Sequence, residues 1–365
     1  MGLQNSVQLT DSSIKKHPDY DQHQMVVYRE DKATGLRAFI AIHNQNLGPA
    51  LGGCRMYPYC NKNSALTDVL RLSKGMTYKS AIAGLPLGGG KAVIIGNPRR
   101  DKSKELLLAM GNFINSIQGS YISAEDSGTS VADLAIMGET TQWVSGIHSA
   151  HEFHGDPSPY TAMGTFEGIK AAVKHQLQHS DLAGISVAVQ GVGNVGMHLT
   201  KLLTQAGARV YVADVNEDNL NEAKERFAAT VVDKNKIHRL DVDVFAPCAM
   251  GGAINSTSIQ EIRASIIAGA ANNQLSKPDM AETARQLGIL YAPDYVINAG
   301  GIIDIHHQQL GQRNVDRVRK EVTAIGATLT SIFHRAKSTE MPTSVIADQM
   351  AEERFLARRQ QTSIA

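Results

Sequence analysis

The chain has 365 residues, 42% hydrophobic and 19% charged, an ordinary balance for a soluble globular protein with room for two domains. Its 36 basic and 35 acidic residues leave a formal charge of +1, so no overall field favours nucleic acid or a membrane surface, and a small neutral or zwitterionic ligand is expected. Cys54, Cys60 and Cys248 are odd in number and form no CxxC pair, which argues against a disulfide framework and a zinc knuckle and fits a reduced cytoplasm. No apolar run approaches the ~18 residues needed to span a bilayer, and no basic flank precedes an apolar segment at the N-terminus. Neither secretion nor membrane insertion is expected. Met1 to Ser6 matches the loose N-myristoylation pattern, but a frayed terminus is the preferred reading.

The first elements are Gln24–Tyr28 and Leu36–Ile42, two strands joined as a hairpin through Lys32-Ala-Thr-Gly35. Leu51-Gly-Gly-Cys-Arg55 reads as a glycine-marked strand or bend. From Ser64, taken as the N-cap, to Met76 the apolar residues Leu66, Val69, Leu70 and Leu72 predict a helix. It leads into Lys79 and the run Gly88-Gly-Gly-Lys91, read as a glycine-rich turn between two lysines that forms a cavity wall. This is not a phosphate loop, because Leu85 stands where the first glycine should be and Ala92 where Ser or Thr should follow the lysine. Ala92–Ile95 is a buried strand and Lys102–Ile117 an amphipathic helix. Tyr121–Ala124 is a strand that delivers Glu125 and Asp126 to its end, and Val131–Glu139 is helical.

Residues 148–160, with Gly155, Pro157 and Pro159, break all periodicity and mark a domain boundary. Beyond it strands alternate with helices, the pattern of a parallel sheet. The helices are Phe166–Leu177, one opened by Gly191-Val-Gly-Asn-Val-Gly196, and Leu220–Phe227. The strands are Ile185–Gln190, Arg209–Asp214, Val242–Ala246, Ser265–Gly269, Ile289–Ala292 and Tyr295–Asn298. Helices Val315–His334 and Ser344–Arg359 end the chain, and periodicity does not say which of them returns to the first domain.

The GxGxxG hexapeptide follows a strand, opens a helix and precedes an acid, Asp214, at the end of the next strand. Gly191 permits the tight turn, Gly193 lets backbone amides approach a pyrophosphate, and Gly196 allows close helix packing. Asp214 would accept hydrogen bonds from ribose hydroxyls and repel a 2′-phosphate, and neither Val215 nor Asn216 offers a cation to bind one, so NAD is expected rather than NADP.

A dehydrogenase of amino acids must hold a carboxylate, deprotonate an ammonium and place Cα opposite the nicotinamide. Two lysines and a carboxylate suffice: one lysine stays cationic, the other, desolvated beside a like charge, acts as base, and Asp126 exchanges a proton with the leaving nitrogen. In Leu51-Gly-Gly-Cys-Arg-Met56, Lys74-Gly-Met-Thr-Tyr-Lys79, Leu87-Gly-Gly-Gly-Lys91, Ala124-Glu-Asp126, Asn272-Asn-Gln-Leu275 and Ala292 to Gly301 the chain resembles the amino acid dehydrogenase family of glutamate, leucine, phenylalanine and valine dehydrogenases, most of all its branched-chain members.

The resemblance implies an α/β fold of two domains, an N-terminal substrate domain and a C-terminal Rossmann-type, doubly wound NAD-binding domain, closing over a cleft, with C-terminal helices returning to the first. The expected division is 1–150, joined by about 335–365, for substrate binding and oligomerisation, and 151–334 for the dinucleotide. It implies reversible oxidative deamination of an L-amino acid to a 2-oxo acid, ammonium and NADH. Lys79 would hold the substrate carboxylate, Lys91 would be the general base and Asp126 the second acid/base group. Gly52, Gly53 and Met76 would line the substrate pocket, and Thr161, Asn194, Val195, Asn272 and Asn298 would join Gly191, Gly193, Gly196 and Asp214 along the cofactor.

Apolar Met76 stands near where glutamate-specific relatives carry a cation, which favours an apolar substrate. Ile302 and Ile305 stand where branched-chain enzymes usually carry valines, so a smaller pocket would favour valine or another short branched side chain over leucine, by only ~1–3 kcal/mol per methylene. Asp304 departs from the usual amide there. A catalytically silent NAD-binding protein is opposed by the intact Lys79, Lys91 and Asp126. His151-Glu-Phe-His154 lacks the HExxH spacing and a third ligand, so no metal is expected. The expected partners are an amino acid or 2-oxo acid, ammonium and, by analogy of fold, further copies of the chain from dimer to octamer.

Overall fold

The computed structural model describes residues 6–8, 12–147, 156–310 and 314–362. They divide into two compact units: one holds the residues up to Ile147 together with 308–310 and 351–362, the other 156–307 and 314–350. The stretch His151–His154 lies outside the described residues.

The first unit runs β1 (Ser6–Gln8), α1 (Ser12–Lys15), β2 (Met25–Asp31), β3 (Leu36–Asn44), β4 (Ala50–Tyr57), α2 (Lys62–Ile82), β5 (Gly88–Ile95), α3 (Lys104–Asn115), β6 (Tyr121–Glu125) and α4 (Val131–Gly138). Its sheet has the order β1-β2-β3-β5-β4-β6. The expected hairpin is present, with Asp31 opposite Leu36, while β4 runs parallel to both β5 and β6. Because β5 is buried along its whole length, its sequence is small or apolar at every position but Lys91 rather than alternating. One sheet face carries Leu106, Leu107, Met110, Phe113 and Ile114 of α3 against Ile40, Ile42 and Ile94; the other carries Ala65, Val69 and Leu70 of α2 against Phe39 and Val93.

Two sequence expectations change here. Ser64 is not the N-cap of α2: Asn61 is, and Ser64 closes the capping box as its third residue. The helix also continues to Ile82 and carries Lys79 in its last turn. The glycine run Gly88–Gly90 is not a turn but the first part of β5. A Cβ on Gly89 would lie 2.0 Å from the backbone nitrogen of Thr77, and one on Gly88 2.2 Å from the Asn44 carbonyl oxygen. The run is glycine because α2 and the neighbouring chain lie directly on the strand backbone, and the cavity-wall reading gives way to close packing.

The second unit runs α5 (Ser158–Leu177), β7 (Ser186–Gln190), α6 (Asn194–Gln205), β8 (Arg209–Ala213), α7 (Glu217–Phe227), β9 (Thr230–Val231), β10 (Val244–Pro247), α8 (Ser258–Glu261), β11 (Ile266–Ile267), α9 (Met280–Gln286), β12 (Leu290–Tyr291), α10 (Asp294–Ile297), α11 (Gly300–Gln309), α12 (Val315–Thr339) and α13 (Thr343–Thr362). The sheet order β12-β11-β10-β7-β8-β9 is parallel throughout, a doubly wound arrangement whose order reverses beside β7.

Helix α5 starts at Ser158 rather than Phe166, since prolines lacking an N–H are tolerated in a first turn where that donor is unused. Tyr295–Asn298 is not a strand: Pro293 and Asp294 start the short helix α10, with the Asp294 carboxylate accepting from the Tyr295 N–H at 2.6 Å. A four-residue apolar run fits either structure, and the Pro-Asp start decides it.

Of the last two helices, α12 lies along α5, where a Cβ on Gly164 or Gly168 would come within 2.7 Å of Ile325 Cδ1 or 2.8 Å of Leu329 Cδ1. The end of α13 belongs with the first unit, where the Phe355 ring meets Tyr78 at 5.5 Å and Arg354 donates to the carbonyls of Ala81 and Ile82 at the end of α2. Both lie among the last carbonyls of the helix, that of Ala81 also accepting from the Gly84 N–H at 3.0 Å, and a guanidinium is suited to a helix C-terminus by both hydrogen bonding and charge.

Candidate active site

Strands β4 and β5, the loop after β6 and the end of α2 carry the predicted chemical groups of the first unit. Lys91, fourth in β5, is 6% exposed, and its ammonium pairs with Asp126 Oδ2. Asp126 follows β6 immediately and is held by its backbone, its N–H donating to Thr129 Oγ1 at 3.1 Å while the Ser127 N–H donates to its Oδ1 at 2.6 Å. Thr129 Oγ1 in turn donates to the Cys54 carbonyl at 2.7 Å, tying the loop to β4.

Glycines make this pairing possible. A Cβ on Gly53 would lie 2.7 Å from Asp126 Cβ and 2.9 Å from its Oδ2, and one on Gly52 would lie 1.7 Å from the Gly90 carbonyl oxygen. The Tyr121 hydroxyl donates to the carbonyls of Gly52 and Gly53 at 2.7 and 3.0 Å, fixing the backbone of this pair.

Burial alone would disfavour the charge on Asp126, but the Lys91 and Arg55 charges and the Ser127 N–H outweigh it and hold the carboxyl below its usual range. Burial and the Asp126 charge push the Cys54 thiol up to about 12, so it stays neutral and unreactive beside them. Met76 and Lys79, three residues apart, share one side of α2 and are half-buried. Ile302 and Ile305 stand three residues apart on α11 of the second unit, the first buried and the second half-buried, with Asp304 fully buried between them.

In the second unit the glycine loop lies at the N-terminus of α6. Gly191 needs its freedom, with φ +97° and a would-be Cβ 2.7 Å from Ala249 Cβ. A Cβ on Gly196 would sit 1.9 Å from the Gly191 carbonyl oxygen, so the helix can begin this close to the loop only without a side chain. Gly193 is exposed, with no atom within 4 Å of a Cβ built there, and with Asn194 it edges a cleft of about 270 Å³. Half-buried Val195 follows.

Asp214 Oδ2 accepts from the Val192 N–H at 2.7 Å and Oδ1 from the Asn216 N–H at 2.9 Å, which orients the carboxylate and leaves each oxygen a further acceptor site. Asn272 and Asn298 are brought together, the Asn298 amide donating to Asn272 Oδ1 at 2.7 Å. Thr161 Oγ1 donates to the Pro157 carbonyl at 3.1 Å. An open glycine and a helix N-terminus after β7, with an oriented carboxylate after the neighbouring strand β8, fit a dinucleotide.

Arg55 stood in a sequence motif but was given no role. In the structure its Nη2 lies 3.4 Å from Asp126 Oδ1 and its Nη1 3.0 Å from Asp68 Oδ2. The available signal was a charged residue on an otherwise apolar strand, with Asp68 set among Leu66, Val69 and Leu70. Among the described residues no group of three or more His, Cys, Asp or Glu is placed to hold a metal ion, and no helix is long and apolar enough to cross a membrane.

The family sequence described as "Glu/Leu/Phe/Val dehydrogenase, dimerisation domain" matches residues 21–143, and that described as "Glutamate/Leucine/Phenylalanine/Valine dehydrogenase" matches 156–216 and 212–344. The chain is 48% identical to a leucine dehydrogenase of Geobacillus stearothermophilus, over 94% of this chain and 93% of that protein. It is 44% identical to a valine dehydrogenase of Streptomyces virginiae, over 93% and 95% respectively. The crystal structure of L-tryptophan dehydrogenase from Nostoc punctiforme superposes with a TM-score of 0.82 at 43% identity, covering 92% of this chain and 97% of that one. The chain therefore belongs to the glutamate/leucine/phenylalanine/valine dehydrogenase family, amino acid dehydrogenases that act on a CH–NH2 group with a nicotinamide dinucleotide.

Proposed function

We propose that the protein catalyses the reversible oxidative deamination of branched-chain L-amino acids with NAD, giving a 2-oxo acid and ammonium. The observation that carries this reading is the buried pair of Lys91 and Asp126, for which Gly53 leaves just enough room. Lys79 holds the substrate carboxylate. Lys91, as neutral amine, takes a proton from the water that attacks the imino carbon, and Asp126 exchanges a proton with the substrate nitrogen, first as base and then as acid when ammonia leaves. Gly191, Gly193, Asn194, Val195 and Gly196 would hold the pyrophosphate of a bound dinucleotide, Asp214 its ribose, and Thr161, Asn272 and Asn298 would line its remaining length, and the chemistry it would supply is a hydride acceptor for Cα.

Asp214 supports NAD over NADP, because a carboxylate oriented by two N–H groups repels a 2′-phosphate. Half-buried Met76 and the isoleucines Ile302 and Ile305 support a short branched side chain in the substrate. The match to a dimerisation domain supports an oligomer of the chain. The similarity to an L-tryptophan dehydrogenase favours a second reading, an aromatic substrate. A panel of valine, leucine, isoleucine, phenylalanine and tryptophan, each with NAD and NADP, separates the two by NADH absorbance. Turnover highest with a branched-chain residue and NAD is expected; preference for tryptophan, or no signal with any apolar L-amino acid, overturns the proposal.

A further inference from the structure

A polar network runs from the surface into the amino acid site. The Tyr59 hydroxyl donates to Asp68 Oδ2 at 2.5 Å, Arg55 bridges that same oxygen at 3.0 Å and Asp126 Oδ1 at 3.4 Å, and Lys91 holds the other Asp126 oxygen. Burial and Asp68 push the Tyr59 phenol above its ordinary range, so it remains a donor. The network joins α2, β4, β5 and the end of β6, and its inner members are largely enclosed, with the Asp126 side chain 14% and the Lys91 side chain 8% exposed.

Two observations set it apart from surface ion pairing. Arg55 Nε is buried without a hydrogen-bond partner among the described residues, so the guanidinium keeps its place at the expense of one unsatisfied donor. An apolar residue would serve packing on this strand at least as well, because replacing a buried ion pair by hydrophobic groups is often neutral or stabilising. The second observation concerns proton cycling. When Lys91 is the neutral base, Asp126 loses the charge of its nearest partner while remaining buried. A guanidinium does not deprotonate, so Arg55 is the one countercharge in the network that stays constant through the reaction.

We propose that Arg55 is a positioning residue for the amino acid site: gripped by Asp68, it holds Asp126 Oδ1 so that Oδ2 faces Lys91, and its constant charge keeps Asp126 a carboxylate while Lys91 gives up its proton. This rests on the reading of Lys91 and Asp126 as the acid/base pair. The groups around them are accounted for. Cys54 is a neutral thiol, Glu125 precedes Asp126 on β6, Lys102 is paired with Asp133 at 2.6 Å, and Arg71 with Asp19 at 2.6 Å.

The test compares Arg55→Gln and Arg55→Lys with the unaltered enzyme, following kcat/KM for leucine oxidation against pH, together with thermal unfolding and NAD binding by fluorescence. Removing a cation this close raises the pH at which the coupled Lys91–Asp126 pair reaches its working protonation state, so the acid limb of R55Q moves up by about 1 unit, the lower end of what an adjacent charge shifts. R55K keeps the charge and holds its limb within a few tenths of a unit, with a lower kcat because the two-pronged grip is lost. A limb that stays in place in R55Q, whatever its kcat, assigns Arg55 a structural role and overturns the proposal, as does a limb in R55K that moves as far as in R55Q. If R55Q does not fold, Arg55→Met takes its place with the same expectation, and R55K decides by itself if neither folds. Lys91→Ala separates the underlying reading. Turnover in that variant removes the acid/base pair itself, whereas an inactive K91A that still binds NAD, beside an unmoved R55Q limb, removes only the inference about Arg55.

Discussion

Gly53→Ala is the most direct perturbation of the acid/base pair. The added methyl carbon would lie 2.7 Å from Asp126 Cβ, 2.9 Å from its Oδ2 and 2.9 Å from the Glu125 carbonyl oxygen, where carbon contacts normally begin near ~3.5 Å. Relief requires movement of roughly 0.6 to 0.8 Å, and β4 is poorly placed to supply it. It is bonded to β5 on one side and β6 on the other, and the Tyr121 hydroxyl pins the Gly53 carbonyl at 3.0 Å. The displacement therefore falls on Asp126 and draws its carboxylate off Lys91. A misplacement of ~1 Å at reacting groups costs on the order of 10²-fold in rate, and one added carbon in a well-packed site costs about 1–3 kcal/mol of stability. The expected result is a kcat for leucine oxidation down by roughly 30- to 100-fold, with cooperative unfolding retained at a lower Tm and NAD binding unchanged. Steady-state kinetics, a thermal melt and an NAD titration measure all three. A G53A enzyme with normal kcat and normal Tm would refute both the crowding and the role it protects.

Lys91→Ala is expected to abolish turnover while NAD still binds, measured by single-turnover absorbance and by fluorescence titration; normal turnover would exclude Lys91 as base. Asp214→Ala removes the acceptor of the Val192 N–H and the group that repels a 2′-phosphate, so the kcat/KM ratio of NAD to NADP should fall by roughly tenfold or more, and an unchanged ratio would place cofactor selection elsewhere. Stability should fall with acid through His43: burial and the neighbouring His23 ring, opposed by Asp21, push its imidazole from 6.5 down to about 4. A depressed histidine contributes stability that is complete above the unfolded value and lost as pH falls from about 6.5 toward about 4, worth up to about 3 kcal/mol. His43→Gln should flatten the urea-unfolding profile over that window, and an equally steep profile would exclude His43 as its source. Arg354→Ala should lower stability by about 1–3 kcal/mol by removing the guanidinium donor from the Ile82 carbonyl and the second donor from that of Ala81, read as a drop in urea midpoint at constant m-value.

Most of the secondary structure was legible because its signals are local. Alternating and continuous apolar runs gave the strands β2, β3, β7 and β8, and 3.6-residue spacing gave α3 and α12. The dinucleotide loop was equally clear, since Gly191 is demanded by its own positive φ and Gly196 by the Gly191 carbonyl just before it. The errors arose where two signals compete within a short stretch: Tyr295–Asn298 is apolar enough for a strand but begins with a proline and an aspartate, and Ser64 can cap or can complete another residue's cap. Gly88–Gly90 was misread for a different reason. Its requirement comes from the Thr77 backbone on α2 and from Asn44, and proximity of that kind leaves no local trace.

By itself the sequence determined the two-part α/β plan and the residue types of both sites, because hydrophobic period, glycine placement and the order of motifs are written along the chain. Only the tertiary structure decided which groups meet. Arg55, Asp68, Lys91 and Asp126 come from β4, α2, β5 and the loop after β6, and parallel pairing of three strands brings them together. A charge acts over a few ångströms whatever the separation in sequence, so the grip on Asp126, and with it the tuning of the acid/base pair, belongs to the fold.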